Sequence, residues 1–129
     1  MKSSVAKPTV PVIAVLGFWH LGCVTAACCA KHFQVIGLDF DQNVIAGLNS
    51  GKAPLLEPGL DELITVGIAS KQLSFTTNPK FACSKADVLW VCYDTPVNDD
   101  DESDVELVLA NLRKALNELP INTLVLISS

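Results

Sequence analysis

Positive charge is scarce in this chain: nine lysines and arginines stand against 14 aspartates and glutamates, a net charge of −5 over 129 residues. Such a balance leaves no basic stripe for a nucleic-acid backbone and no polybasic patch for a membrane surface. No apolar run approaches the roughly 18 residues that a membrane-spanning helix needs. The stretch from Met1 to Pro11 is short, polar and punctuated by proline, and is expected to be a disordered lead-in rather than a secretory leader. The five cysteines, Cys23, Cys28, Cys29, Cys83 and Cys92, lack the spacing of a metal site. Their odd number and apolar settings predict reduced, buried thiols, no metal and a cytoplasmic protein. The adjacent pair Cys28 and Cys29 does not suggest redox chemistry, because neighbours on a helix point to different faces.

What is present is globular. Half of the residues are hydrophobic and 18% are charged, in a chain of single-domain length. The unbroken apolar run Val12-Ile13-Ala14-Val15-Leu16 reads as a parallel strand covered on both faces, since such a strand has no polar side to show. Gly17 ends it. Small and apolar residues from Leu21 to Ala30 suit a helix packed close to a sheet, Phe33 to Leu38 forms a second strand, and Asp39 closes that strand. This is the layout of a dinucleotide-binding βαβ unit, in which glycines let backbone N–H groups approach a pyrophosphate at a helix N-terminus and a terminal acid holds the adenosine ribose. In the hexapeptide Gly17-Phe18-Trp19-His20-Leu21-Gly22 the outer glycines are present, but the middle one is Trp19.

Alternation continues to the end of the chain. Short helices are expected over Asp41 to Asn49, stopped at Gly51, and from Gly59 to about Ser70; a strand over Gln72 to Thr76; a brief helix over Asn78 to Lys85; and a strand over Val88 to Tyr93. The acidic run Asn98 to Asp104 could be taken for a hard-cation loop. The capping box of Ser103 with Glu106 favours a helix start instead. The helix that follows shows Val105, Val108, Leu109, Leu112, Leu116 and Leu119 on one stripe, and Thr123 to Ile127 is a last strand. The expected fold is α/β: a Rossmann-type, doubly wound parallel sheet with helices on both faces, incomplete at the C-terminal end, occupying residues 12–129 as one dinucleotide-binding domain. Ligands of such sheets sit beyond the strand carboxyl ends at the topological switch point. That rule selects Gly17 to His20, Asp39, Tyr93-Asp94-Thr95-Pro96 and Ser128-Ser129, where Thr95 is either a nucleotide contact or an ordinary turn residue.

Taken together, the glycine turn, Val35-Ile36-Gly37-Leu38-Asp39, Leu48-Asn49-Ser50-Gly51, Glu57-Pro58-Gly59-Leu60, Thr76-Thr77-Asn78, Ala86-Asp87-Val88 and Thr95-Pro96 resemble the N-terminal NAD domain of the UDP-glucose/GDP-mannose dehydrogenases. The resemblance runs from about Val12 to Ser129. It implies an NAD-dependent oxidoreductase that converts the C6 alcohol of a nucleotide sugar to a carboxylate. The implied cofactor-binding residues are Gly17, Trp19, His20, Leu21, Gly22, Asp39 and Thr95, with His20 and Leu21 at the places of the family's Tyr-Val pair. Asp39 favours NAD over NADP, because a carboxylate repels a 2′-phosphate. The family's catalytic cysteine belongs to a C-terminal half that this chain does not contain. The resemblance therefore implies no catalytic residue here, no turnover by the chain alone, and contact with a nucleotide sugar only through the missing half. A homo-oligomer is possible at the unfinished sheet edge. Trp19, Val44 in place of a lysine and Asp94 in place of a neutral residue motivate a second reading, a Rossmann-like interaction module with impaired cofactor binding. A hydroxyacid or 6-phosphogluconate type of dehydrogenase does not account for Glu57-Pro58-Gly59-Leu60.

Overall fold

A computed structural model of the chain describes residues 10–93 and 102–128. Five strands, β1 (Val12–Leu16), β2 (Gln34–Leu38), β3 (Leu73–Thr76), β4 (Val88–Val91) and β5 (Leu124–Ile127), form one parallel sheet in the order β3-β2-β1-β4-β5. The helices are α1 (His20–Cys29), α2 (Gln42–Asn49), α3 (Leu60–Ala69), α4 (Pro79–Cys83) and α5 (Glu102–Leu116). Helices α1, α2 and α3 pack on one face, where Ile13, Val15, Val35 and Phe75 meet Ala26, Ala27, Leu48 and Ile64. The other face carries α4 and α5, with Ala14, Leu16, Leu38 and Leu89 against Ala82, Cys83 and Ala115. This is the expected doubly wound fold. The switch point lies between β1 and β4, the two strands from which the chain departs in opposite directions.

Local chemistry explains the element ends. Asp41 caps α2 by accepting hydrogen bonds from the Asn43 and Val44 N–H groups, and Gly51, at φ +88°, ends it in the left-handed conformation that glycine takes at least cost. Asn78 caps α4 in the same way, with Pro79 in the first turn. The Asp87 carboxylate accepts the Val12 N–H at 2.8 Å and ties the start of β1 to β4.

Three details differ from the sequence-based expectation. Strand β4 stops at Val91; Cys92 still donates to Leu16 O, at 2.8 Å, before the chain leaves the ladder. Among the described side chains of α5, Asn111 and Ala115 are buried, with Leu112 and Leu119 packed beside them, whereas Leu109 and Leu116 are exposed. A small residue allows the helix to approach the sheet, and the larger leucines flank the contact. Cys23, Cys83 and Cys92 are buried as expected, but Cys28 is exposed and Cys29 intermediate, on different sides of α1. Strand β5 is an edge, with Leu124 and Ile127 largely exposed. The acidic run from Asn98 and its proposed capping box lie outside the described residues or their side chains.

Candidate functional site

The register sets Leu16, Leu38 and Val91 level with one another, so Gly17, Asp39 and Cys92 emerge side by side from the carboxyl ends of β1, β2 and β4, with Tyr93 the next residue out. Gly17 has φ +96°, and an added Cβ would stand 3.0 Å from the Tyr93 ring. Gly22 is more tightly held: its Cβ would fall 1.8 Å from Gly17 O. The two outer glycines of the hexapeptide are therefore demanded by the fold itself, one for the turn and one for the approach of α1 to β1. The middle position is not. Trp19 has φ −116°, open to any residue, and its side chain is 52% exposed. Glycine at that position would serve only the close approach of something outside the chain.

Phe18 explains how the turn is held. It is 4% exposed and packs edge-on to Phe75 with ring centroids 5.3 Å apart, filling the space left by Gly37, where a Cβ would lie 2.5 Å from the Phe18 ring. Its N–H donates to Asp39 Oδ2 at 2.9 Å, and Asp39 Oδ1 accepts the Asp41 N–H at 2.9 Å. Asp39 thus braces the glycine turn from the neighbouring strand, and each of its oxygens keeps a lone pair for a further donor. Sequence reasoning gave Phe18 and Gly37 no packing role. A glycine inside a strand is, however, the ordinary sign of a close approach.

The first turn of α1 is left open. Trp19 makes no side-chain capping bond and the turn has no acidic residue, so no described side chain caps the positive end of the helix dipole. His20 is exposed, and its Nε2 lies 2.8 Å from Glu57 Oε1, in the Glu57-Pro58-Gly59-Leu60 segment before α3. Leu21 is half-buried against the core. The Tyr93 hydroxyl is buried with no hydrogen-bond partner among the described residues. Burial pushes its pKa up to about 12, the Asn111 amide offsets part of the rise without reaching bonding geometry, and the Asp39 charge adds to it. Of the expected site residues, Gly17, Trp19, His20, Gly22 and Asp39 come together at one turn. Thr95, with Asp94 and Pro96, lies outside the described residues. No group of three or more His, Cys, Asp or Glu side chains that could hold a metal occurs among the described residues.

An open, uncapped helix N-terminus behind a glycine turn, with an acid at the end of the neighbouring strand, defines a dinucleotide-binding domain of the Rossmann class. The description of the UDP-glucose/GDP-mannose dehydrogenase family, NAD binding domain, matches residues 11–129, and the chain belongs to that family. The GDP-mannose 6-dehydrogenase of Pseudomonas aeruginosa is 34% identical over 110 residues, 82% of this chain and 25% of that protein. The UDP-glucose 6-dehydrogenase of Rhizobium meliloti is 33% identical over 119 residues, 91% of this chain and 27% of that protein. Among solved structures, a UDP-D-ManNAc dehydrogenase from Pyrococcus horikoshii superposes with a TM-score of 0.80 at 29% identity, over 90% of this chain and 28% of that one. The chain spans about a quarter of the length of these relatives.

Proposed function

We propose that the chain is the cofactor-holding portion of a nucleotide-sugar 6-dehydrogenase, of the type that acts on UDP-glucose or GDP-mannose. The carrying observation is the pairing of the uncapped α1 N-terminus with Asp39 across the same glycine turn. In this reading the backbone N–H groups from Trp19 to Gly22 take the pyrophosphate, Gly17 makes the turn, and Asp39 accepts from the adenosine ribose hydroxyls. Thr95 adds a contact from the end of β4. When bound, NAD supplies the acceptor for the hydride leaving the sugar C6. The catalytic groups lie outside this chain, so it does not turn over alone. A cytoplasmic location fits the cysteine usage, and no described helix is long and apolar enough to cross a membrane. The exposed edge at β5 suits pairing with a second copy or with another part of a longer protein.

Calorimetric titration with NAD and NADP tests the reading, with Trp19→Gly as the companion variant. NAD binding with little or no NADP binding is expected, and a tighter complex for Trp19→Gly. The exposed Trp19 ring favours the second reading, an interaction module without cofactor. Absence of NAD binding by both proteins at millimolar cofactor would support it.

A further inference from the structure

His20 is the only basic side chain between Val12 and Ala30, so it is the one side chain of the first α1 turn able to carry positive charge toward a diphosphate. In the structure it is engaged elsewhere, by the Glu57 carboxylate at 2.8 Å. The two residues are 37 positions apart, and the contact bridges α1 to the loop before α3. Both side chains are substantially exposed, 55% for His20 and 40% for Glu57, so neither is locked by packing. Glu57 also lines an open cavity of about 290 Å³ with Leu55, Pro58 and Asp61, which leaves its side chain room to turn. The contact thus puts a negative charge beside a helix end that no described side chain caps, the reverse of what a diphosphate site favours.

We propose that Glu57 is a displaceable gate on the diphosphate site. In the cofactor-free chain its carboxylate holds His20. Cofactor binding drives the carboxylate away and frees the imidazole to donate to the pyrophosphate. This rests on the NAD-binding reading and adds a built-in restraint to it: affinity is held down by the work of separating the pair and by repulsion between carboxylate and diphosphate. Glu57→Gln separates a gate from a plain tether, because the amide oxygen still accepts a hydrogen bond from His20 while the charge is gone.

The experiment is calorimetry of the wild-type chain, Glu57→Gln and Glu57→Ala, each titrated with NAD and with inorganic pyrophosphate. Both ligands are expected to bind Glu57→Gln about fivefold more tightly than wild type, the order of gain from removing one screened like charge. Tighter pyrophosphate binding with no NAD binding by any protein would uphold the gate and refute the NAD reading. Unchanged or weaker binding of both ligands by Glu57→Gln would overturn the gate, whether or not NAD binds. A loss confined to Glu57→Ala, with Glu57→Gln equal to wild type, would identify a structural tether and also overturn it.

Discussion

Helices α1 and α2 each start just beyond the carboxyl end of a strand in the same sheet, yet their N-termini are finished in opposite ways. At α2 the Asp41 carboxylate accepts from the Asn43 and Val44 N–H groups at 2.9 and 3.3 Å, so the chain supplies its own anion. At α1 the capping position holds Trp19, whose side chain makes no capping bond, and the first turn has no acid. A cap contributes about 1 kcal/mol, so α1 forgoes a stabilisation that α2 takes. Asp39 sharpens the contrast: it lies beside the α1 turn but spends its bonds on Phe18 and Asp41, bracing the turn without closing the helix. The difference separates a structural helix end from one left open for an external anion.

The largest expected effect comes from Gly22, where α1 touches the turn. Alanine favours helices by about 1 kcal/mol over glycine. Here its Cβ would meet Gly17 O at 1.8 Å, and backbone cannot easily yield. Gly22→Ala should destabilise the chain by about 3 kcal/mol or more in urea unfolding, with loss of NAD binding. Gly47 in α2 has no such neighbour, its Cβ meeting only Lys52 O at 3.5 Å, and Gly47→Ala should be neutral or mildly stabilising.

Next is the alkaline limb. Tyr93 supports the α1 turn from below, and its folded pKa is raised to about 12, chiefly by burial. Cys83, buried at the end of α4 and near Glu118, is raised to about 11 by burial and then by that charge. Groups with raised pKa values stabilise fully below their unfolded values, and the contribution is lost as pH rises through the folded ones. Stability should therefore fall between about pH 9 and 12, by roughly 2 kcal/mol for the partly exposed Tyr93 alone. Tyr93→Phe should flatten the upper part of that limb and raise stability slightly near neutral pH, because an unpaired buried hydroxyl is removed.

Trp19→Asp would finish α1 as α2 is finished. The new carboxylate should take the free N–H groups, hold or slightly raise stability, and weaken NAD binding by about tenfold or more. The smallest change is the converse. Asp41→Ala should cost about 1 kcal/mol in thermal unfolding and leave NAD affinity within about twofold, because no diphosphate is expected at α2.

Much of this was legible in the residues. Strand positions followed from apolar runs, helix ends from Asp41, Gly51, Asn78 and Ser70, and the βαβ layout from the outer glycines and Asp39. On α5 the expected stripe holds at Leu112 and Leu119 but not at Leu109 and Leu116, because a count of apolar spacing favours leucines, whereas close approach to a sheet favours Ala115. At the site, the turn was legible but its support was not. Phe18 over Gly37, and Tyr93 under Gly17, are contacts across strands distant in sequence that no local pattern displays. The same holds for Glu57: its segment marks the family, while its hold on His20 requires α1 and α3 to be packed together.

The central claim, that the open end of α1 receives the cofactor, is tested most directly by amide nitrogen–proton NMR of the chain during an NAD titration. The account predicts the largest and saturable shifts at the Trp19, His20, Leu21 and Gly22 amides, with Asp39 moving in step and the α2 amides of Asn43 and Val44 still. Shifts centred on other elements, or none at millimolar NAD, would contradict it.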